Sequence, residues 1–340
     1  MIKKVIIIVL ALCLLLSYKV SFAEDRSRGH TKIKRLISQL YEKPTRLDAQ
    51  RQLSSYGSEV TEYIIPVLQG RDDPAVRVAA LRVTHAIGDR SVEDIVVPML
   101  KDRHSKVRQE AARVLGVVGS KETTIEALKS SIRDSSPNVR YHIVRALSQM
   151  PREQETDIFI GVLGDYESKV RKYAVIALGE LKSVEAVSSL SRMIRDIDLE
   201  VRIEIVNTLA KIGTEECLPS LIWLTGDPDQ NVRIKAVKAI GGIESNKTED
   251  ALISATDHID PRIVSAAITE LTKRESSKVL DIAKSYVNDE HMVVKVAAIE
   301  TIGKMGTSSE KPLLSGLLVA ESTRVRDKAT EALTVIGSGA

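Results

Sequence analysis

The chain has 340 residues, 43% of them apolar but only 3% aromatic, with two cysteines and a formal charge of +3. Two cysteines exclude a disulfide-stapled scaffold, and the scarcity of aromatics with abundant alanine, leucine, isoleucine and valine favours close-packed helices over a β-sandwich. The near-balance of charge argues against non-specific nucleic-acid binding, which draws on a basic excess to neutralise phosphates.

Taken from the N-terminus, Lys3 and Lys4 precede an unbroken apolar run from Val5 to Leu16, followed by a short polar stretch that ends Ser21-Phe22-Ala23. That run is too short for a hydrocarbon core of about 30 Å. The pattern is that of a secretory signal peptide over residues 1–23, cleaved after Ala23. An exported, periplasmic or secreted, protein with no stable membrane span after cleavage is therefore expected. The leader would take Lys3, Lys4 and Lys19 with it and leave 46 basic against 46 acidic residues. Cys217 would then stand alone. Residues 24–30 read as a polar lead, and Thr31 opens an amphipathic segment with Ile33, Leu36, Ile37 and Leu40, closed by Pro44.

From residue 31 to 340 the chain repeats one pattern. Its clearest copy runs from Asp227 to Ile243, DPDQNVRIKAVKAIGGI. After Val232-Arg233, small or apolar residues fall at Ala236, Ala239, Ile240 and Ile243, one face of a helix with 3.6 residues per turn. The same Val-Arg position recurs at Val76, Val107, Val139, Val170, Val201, Ile263, Val294 and Val325. Thr45 starts a degenerate first copy, and every step is 31 residues except one of 32, giving ten copies. A phase kept over so many copies is the signature of a repeat array. Each copy carries a first helix, such as 91–100, 125–132 or 183–194, and then the Val-Arg helix, with Gly88, Gly119, Gly213 and Gly337 as expected C-caps. Pro66, Pro98, Pro219 and Pro312 predict bent or late-starting first helices. The position five after the Val is also apolar (Leu81, Ala112, Val144, Val175, Val206, Val237, Ile268, Ile299), so the stripe is too wide for one partner helix and each copy needs neighbours.

These Asp-Pro-x-x-x-Val-Arg-x-x-Ala-x-x-Ala-Leu-Gly-x-Ile/Leu-Gly elements resemble HEAT repeats, of the short kind found in phycobilisome-lyase-type HEAT-like proteins. The resemblance spans residues 31–340. It implies an all-α, right-handed α-solenoid of about ten two-helix repeats, with the Val-Arg helices lining the concave face. It implies no reaction, because such arrays serve scaffolds and a few enzymes alike.

An arginine follows the Val at Arg77, Arg108, Arg140, Arg171, Arg202 and Arg233, and an aspartate lies five before it at Asp102, Asp134, Asp165, Asp196 and Asp227. A structural ladder is expected, each arginine bonding an aspartate or helix-start carbonyl of its own or the next repeat. The repeat of Ile263 has His258 and Val264 at these two positions, as though a pair were lost together, and Glu270 and Arg274 on its stripe. It is expected to be the weakest internal repeat. None of the six histidines is followed by glutamate, so the His-Glu iron ligands of the HEAT-like deoxyhypusine hydroxylases are missing, and no metal or other cofactor is expected. No Ser-His-Asp set or phosphate-binding glycine loop stands out, and Trp223 reads as core.

The positions two and six after the Val face away from the packed stripe. Position six reads Arg82, Arg113 and Arg145 early, Ile176 next, and Glu300 and Glu331 late. With Tyr141 and Tyr173 flanking that row, the expected function is a non-catalytic scaffold that binds a protein partner, through an acidic or extended segment, at Arg82, Arg113, Tyr141, Arg145, Tyr173 and Ile176. The alternatives are an enzyme or enzyme subunit of the HEAT-like family, or a binding module for an envelope polymer or lipid.

Overall fold

The structure is a computed structural model that describes residues 29–70, 73–150 and 156–338. The expected leader, 1–23, lies outside the described residues, as does the lead up to residue 28. The chain divides into two compact units, Met1–Pro151 and Arg152–Ala340. Among the described residues every regular element is an α- or 3-10 helix and none is a strand. The first unit holds α1 (29–39), α2 (Arg46–Ser54), α3 (Thr61–Gln69), α4 (Pro74–Ile87), α5 (Glu93–Val96), α6 (Ser105–Val118), α7 (Glu122–Ser130) and α8 (Pro137–Ser148). The second holds α9 (Thr156–Gly161), α10 (Ser168–Glu180), α11 (Val187–Arg192), α12 (Leu199–Ile212), α13 (Leu218–Leu224) and α14 (Gln230–Gly241). It continues with α15 (Asn246–Thr256), α16 (Pro261–Lys273), α17 (Val279–Tyr286), α18 (Met292–Met305), α19 (Lys311–Gly316) and α20 (Thr323–Ser338). Even numbers are the Val-Arg helices and odd numbers the first helices. Helix α1 starts before Thr31, so the polar lead is shorter than expected: its last two residues, Gly29 and His30, are already helical.

The even helices stack on one another within each unit, α2 to α4 to α6 to α8 and α10 through α20. Their apolar stripes form the core. In the α14 repeat Val232, Ala236, Val237, Ala239, Ile240 and Ile243 are all buried, and the position five after the Val is buried in every copy from Leu81 to Ile299. A stripe that wide leaves apolar area wet unless both neighbours cover it, at about 25 cal/mol per Å2 of surface. The odd helices are shorter and several begin late. Pro219 and Pro312 sit in the first turns of α13 and α19, each after a 3-10 turn, and Pro98 opens a 3-10 segment, where its missing N–H is harmless. Pro66 alone of the four lies inside its helix, α3.

Glycine does two different jobs. Gly88 and Gly213 cap α4 and α12 in the left-handed conformation, with φ of 70° and 68°. Gly119 also caps α6, but in an extended conformation with its N–H donating to the Leu115 carbonyl, whereas Gly337 lies within α20 and is not the C-cap the sequence suggested. A second set, nine residues after the Val, sits inside the even helices. A Cβ on Gly116 would come within 3.2 Å of the Cα of Ala146, on Gly179 within 3.3 Å of the Cα of Thr208, and on Gly303 within 2.8 Å of the Cα of Ala332. Each glycine faces the residue seven after the Val of the next even helix. Its bare Cα lets that helix approach.

The arginine ladder joins consecutive repeats at their turns. The Asp134 carboxylate accepts from Arg108 of the preceding repeat, Nε at 2.6 Å and Nη2 at 2.9 Å, while its carbonyl oxygen accepts from Arg140 of its own repeat at 2.9 Å. The same double tie holds Asp196 between Arg171 and Arg202, and Asp227 between Arg202 and Arg233. Arg77 reaches Asp102, and the Asp102 carbonyl accepts from Arg108 at 2.8 Å. Arg171 also donates to the Asp165 carbonyl at 2.8 Å. One oxygen of each carboxylate further accepts from the backbone N–H two residues on, as Asp227 does from Asp229 at 2.8 Å, which holds the turn before the even helix. Burial alone would raise the carboxyl pKa of Asp134, but Arg108 and the Ser136 N–H outweigh it and hold it below the ordinary range.

Because each arginine pairs forward, the partner of Arg233 would be residue 258, and the partner of position 264 would be Asp289. His258 and Val264 are therefore not a lost pair. Arg233 turns to Asp260 at 2.6 Å, and His258 Nδ1 accepts from the Asp260 N–H at 2.9 Å, the bond an aspartate makes elsewhere. Arg274 donates back to the carbonyls of Gly241 and Ile243 at 3.1 and 3.2 Å, and Tyr286 donates to the Thr256 carbonyl at 2.7 Å. Glu270 packs against Gly241 and pairs with Lys273 at 2.7 Å. His258, Glu270 and Arg274 thus each have a partner, while Val264 supplies no guanidinium to Asp289, whose carboxylate bonds the N–H and ring of His291. Asp227→Ala would strand the buried guanidinium of Arg202 and release a turn, lowering stability by about 3–5 kcal/mol. Arg326→Ala removes bonds to the Ala320 and Glu321 carbonyls and no aspartate, with an expected loss of about 1 kcal/mol. Urea unfolding of the two variants checks the ranking.

Candidate functional site

The face of α4, α6 and α8 away from the core carries the residues singled out for partner binding in the first unit. Arg82 on α4 and Arg113 on α6 do not stand as solvated charges. Both donate to Glu110 on α6, Arg82 Nε at 3.0 Å and Arg113 Nη1 at 3.1 Å, and the Glu110 side chain is only 2% exposed. The two arginine side chains are 41% and 36% exposed. A buried carboxylate thus holds two partly exposed arginines from consecutive repeats in fixed positions. Arg145 on α8 is exposed and continues the row. Tyr141 is half-buried and meets the ring of His142 edge-on, centroids 4.6 Å apart. Tyr173 and Ile176 are half-buried on α10, in the second unit.

Two histidines line the base of the arginine row. Burial, and then the nearby Arg113, lower the pKa of His85, whose Nδ1 lies 3.4 Å from Arg113 Nη2. His142 is pushed down to about 4, chiefly by burial, with Arg145, Arg113 and His85 adding to the effect and Glu110 opposing it. Both rings are neutral near pH 7. Protonating either would place a fourth cation among the arginines.

The charge arrangement occurs twice among the described residues. Glu110 lies three after its Val, and its partners lie six after the Val of its own and the preceding repeat. In the last two repeats the same positions appear with signs exchanged: Lys328 pairs with Glu300 at 2.9 Å and Glu331 at 2.8 Å, and these glutamates hold its pKa above the usual lysine range. The acidic end of the row is therefore paired too. Trp223, expected in the core, is 38% exposed, with the Arg195 guanidinium 5.0 Å from its ring centroid.

Among the described residues no three His, Cys, Asp or Glu side chains are placed to hold a metal ion, and no helix is long and apolar enough to cross a membrane. Cys217 is buried, and burial raises its thiol pKa.

The chain belongs to the HEAT-repeat family, whose pattern matches in overlapping windows from residue 61 to residue 334. Among solved structures it is similar to an engineered protein, with 19% identity and a TM-score of 0.50 over 91% of this chain and 99% of that one. It is likewise similar to Kap121p, with 14% identity and a TM-score of 0.58 over 90% of this chain. It spans 44% of Kap121p. At these identities the likeness is one of fold. No curated protein matches the sequence.

The window for a histidine test follows from the depressed pKa. The folded His142 titrates near 4 and the unfolded one near 6.5, so between these values the unfolded chain binds more protons. The stability contributed by neutral His142 is full above 6.5 and is lost as pH falls toward 4. In chemical denaturation across this window, His142→Gln should show a smaller fall in stability than wild type, the residue of the slope belonging to His85 and other groups.

Proposed function

We propose that this chain is an exported HEAT-repeat scaffold of the phycobilisome-lyase HEAT-like kind, without catalysis of its own. It binds an acidic, extended segment of a partner protein along the even helices of its first unit. The observation that carries the reading is the row of partly exposed arginines, Arg82 and Arg113 pinned by one buried glutamate and followed by Arg145. Side chains already ordered in the free protein lose little entropy on binding, and arginine beside tyrosine is the usual composition of an interface hot spot. Successive even helices pack about 8–10 Å apart, so the row offers one cation per repeat to a chain laid across it. Tyr141 flanks the row. Export rests on the basic, apolar and small-residue pattern of residues 1–23.

Affinity purification of the mature chain, with mass spectrometry, identifies the partner. Arg113→Glu with Arg145→Glu should then weaken its binding at least several-fold, and because Arg113 also pairs with the buried Glu110 the double variant loses stability as well. Arg145→Glu alone should weaken binding and leave the thermal midpoint nearly unchanged, since an exposed charge contributes about 0–1 kcal/mol to folding. Reversing Glu300 and Glu331 is a poor control because both pair with Lys328. Lys235→Glu with Lys304→Glu, at exposed positions in the second unit, serves instead and should bind as wild type. Equal binding by both pairs would move the interface off this face.

Export has its own check. The intact mass of protein from the native host should correspond to a chain starting at Glu24. Retention of residues 1–23 would remove the claim of a soluble exported form.

A further inference from the structure

At the starts of α2, α4 and α6, next to the arginine row, the first unit carries a depression of about 680 Å3. Part of its lining is apolar: Leu47, 55% exposed, with Val78 and Pro74 beside it. Lys43, Arg46, Arg82, Arg103 and Lys106 also line it, and among the described residues no carboxylate does. Arg46 and Arg82 are compensated from outside, by Asp73 at 3.8 Å and by Glu110 at 3.0 Å. Lys43, Arg103 and Lys106 make no ion pair among the described residues, Lys106 reaching only the Gln109 amide oxygen at 3.3 Å. A concave, partly apolar surface lined by charges of one sign concentrates field and attracts counter-charge. The opening turn of α6, at Ser105, which has no side-chain cap, adds the positive end of a helix dipole, whereas that of α4 is capped by Asp73.

The cations come from three consecutive repeats, so a single phosphate or carboxylate could satisfy one or two of them at most. A polypeptide extended as polyproline II rises about 3.1 Å per residue with three residues per turn, so every third side chain lies on one face. Carboxylates three residues apart therefore match the helix spacing of about 8–10 Å. A volume of this size is typical of ligand pockets, about 300–1,000 Å3, and the apolar lining calls for an aliphatic side chain between the acids. We propose that this depression binds an extended acidic segment of a partner protein, with acidic residues at every third position and an aliphatic side chain seated on Leu47 and Val78. The proposal rests on the reading that the even-helix face binds protein, and adds the side-chain pattern that it selects.

The test titrates the full mature chain into the fluorescein-labelled peptide Asp-Leu-Ser-Asp-Leu-Ser-Asp and follows anisotropy. Saturable binding that weakens with added salt is expected. Lys43→Glu with Arg103→Glu should weaken it by roughly tenfold. Leu47→Ser, or serine in place of the peptide leucines, should weaken it by at least about threefold. Thermal midpoints confirm that the variants fold. Arg113→Glu with Arg145→Glu, outside the depression, should leave this short peptide bound as in wild type. No binding by wild type, equal binding by the Lys43/Arg103 variant, or capture of phosphatidylglycerol vesicles in place of the peptide would each overturn the proposal. The two readings fail separately. If the natural partner is lost with Arg113/Arg145 but kept with Lys43/Arg103, the depression is wrong and the face stands. The reverse pattern removes the face and keeps the depression.

Discussion

The stacking of repeats is set by the tie between an arginine near the start of one even helix and the aspartate in the turn before the next, present at Arg77, Arg108, Arg171 and Arg202. Three demands meet at that aspartate: its carboxylate takes the preceding arginine, one of its oxygens also holds its own turn, and its carbonyl takes its own arginine. A guanidinium has five donors in a planar fork, enough to bridge a carboxylate on one side and a carbonyl on the other. Lysine could not make both sets of bonds. Desolvation of such a pair cancels much of its Coulombic gain, so the tie contributes less to net stability than to fixing which turn meets which helix. The apolar stripes supply the attraction and the ladder sets the register. Where the chain inserts one residue, between Val107 and Val139, Arg108 still finds Asp134.

A second device sits on the outer face. The residue three after the Val lies between the residues six after it in its own and the preceding repeat, so one charge of either sign can bind two of the other. Glu110 between Arg82 and Arg113 is one version, and Lys328 between Glu300 and Glu331 the reverse. In the first case the shared residue is buried and the outer pair is partly exposed, which turns a structural contact into a presented pair of cations. The depression beside it differs in kind, because among the described residues three of its cations have no such shared acid.

How much was legible follows from how local each signal is. The helices and their core positions were readable because apolar periodicity lies within one repeat, and the repeat count followed from phase. The ladder residues could be named from recurrence. Their direction could not, and so His258 and Val264 looked like one lost pair when Arg233 had moved to Asp260. Glycines at helix ends are a familiar pattern, yet Gly116, Gly179 and Gly303 serve a contact with the next helix that a single-helix reading does not contain. Glu110 carried a signal, an acid three before an arginine with another arginine one repeat earlier, that becomes visible only when two repeats are aligned. Trp223 misled because its neighbours in the Leu-Ile-Trp-Leu run look apolar on every side, although only alternate faces of a short helix are covered.

The ties described here connect each repeat only to the next one, about 25 residues along the chain for Arg202 and Asp227. Under tension within either unit, load would pass in series from turn to turn, through charge-assisted bonds set near the mouths of the even helices. Such a chain does not yield all at once. It lengthens by discrete increments, each the release of one guanidinium and the peeling of one helix pair, and a released pair can re-dock on the neighbour that still holds its half of the tie. The repeat that gives first is then decided by the quality of a single fork, which makes the array extensible in a way a single globular core is not.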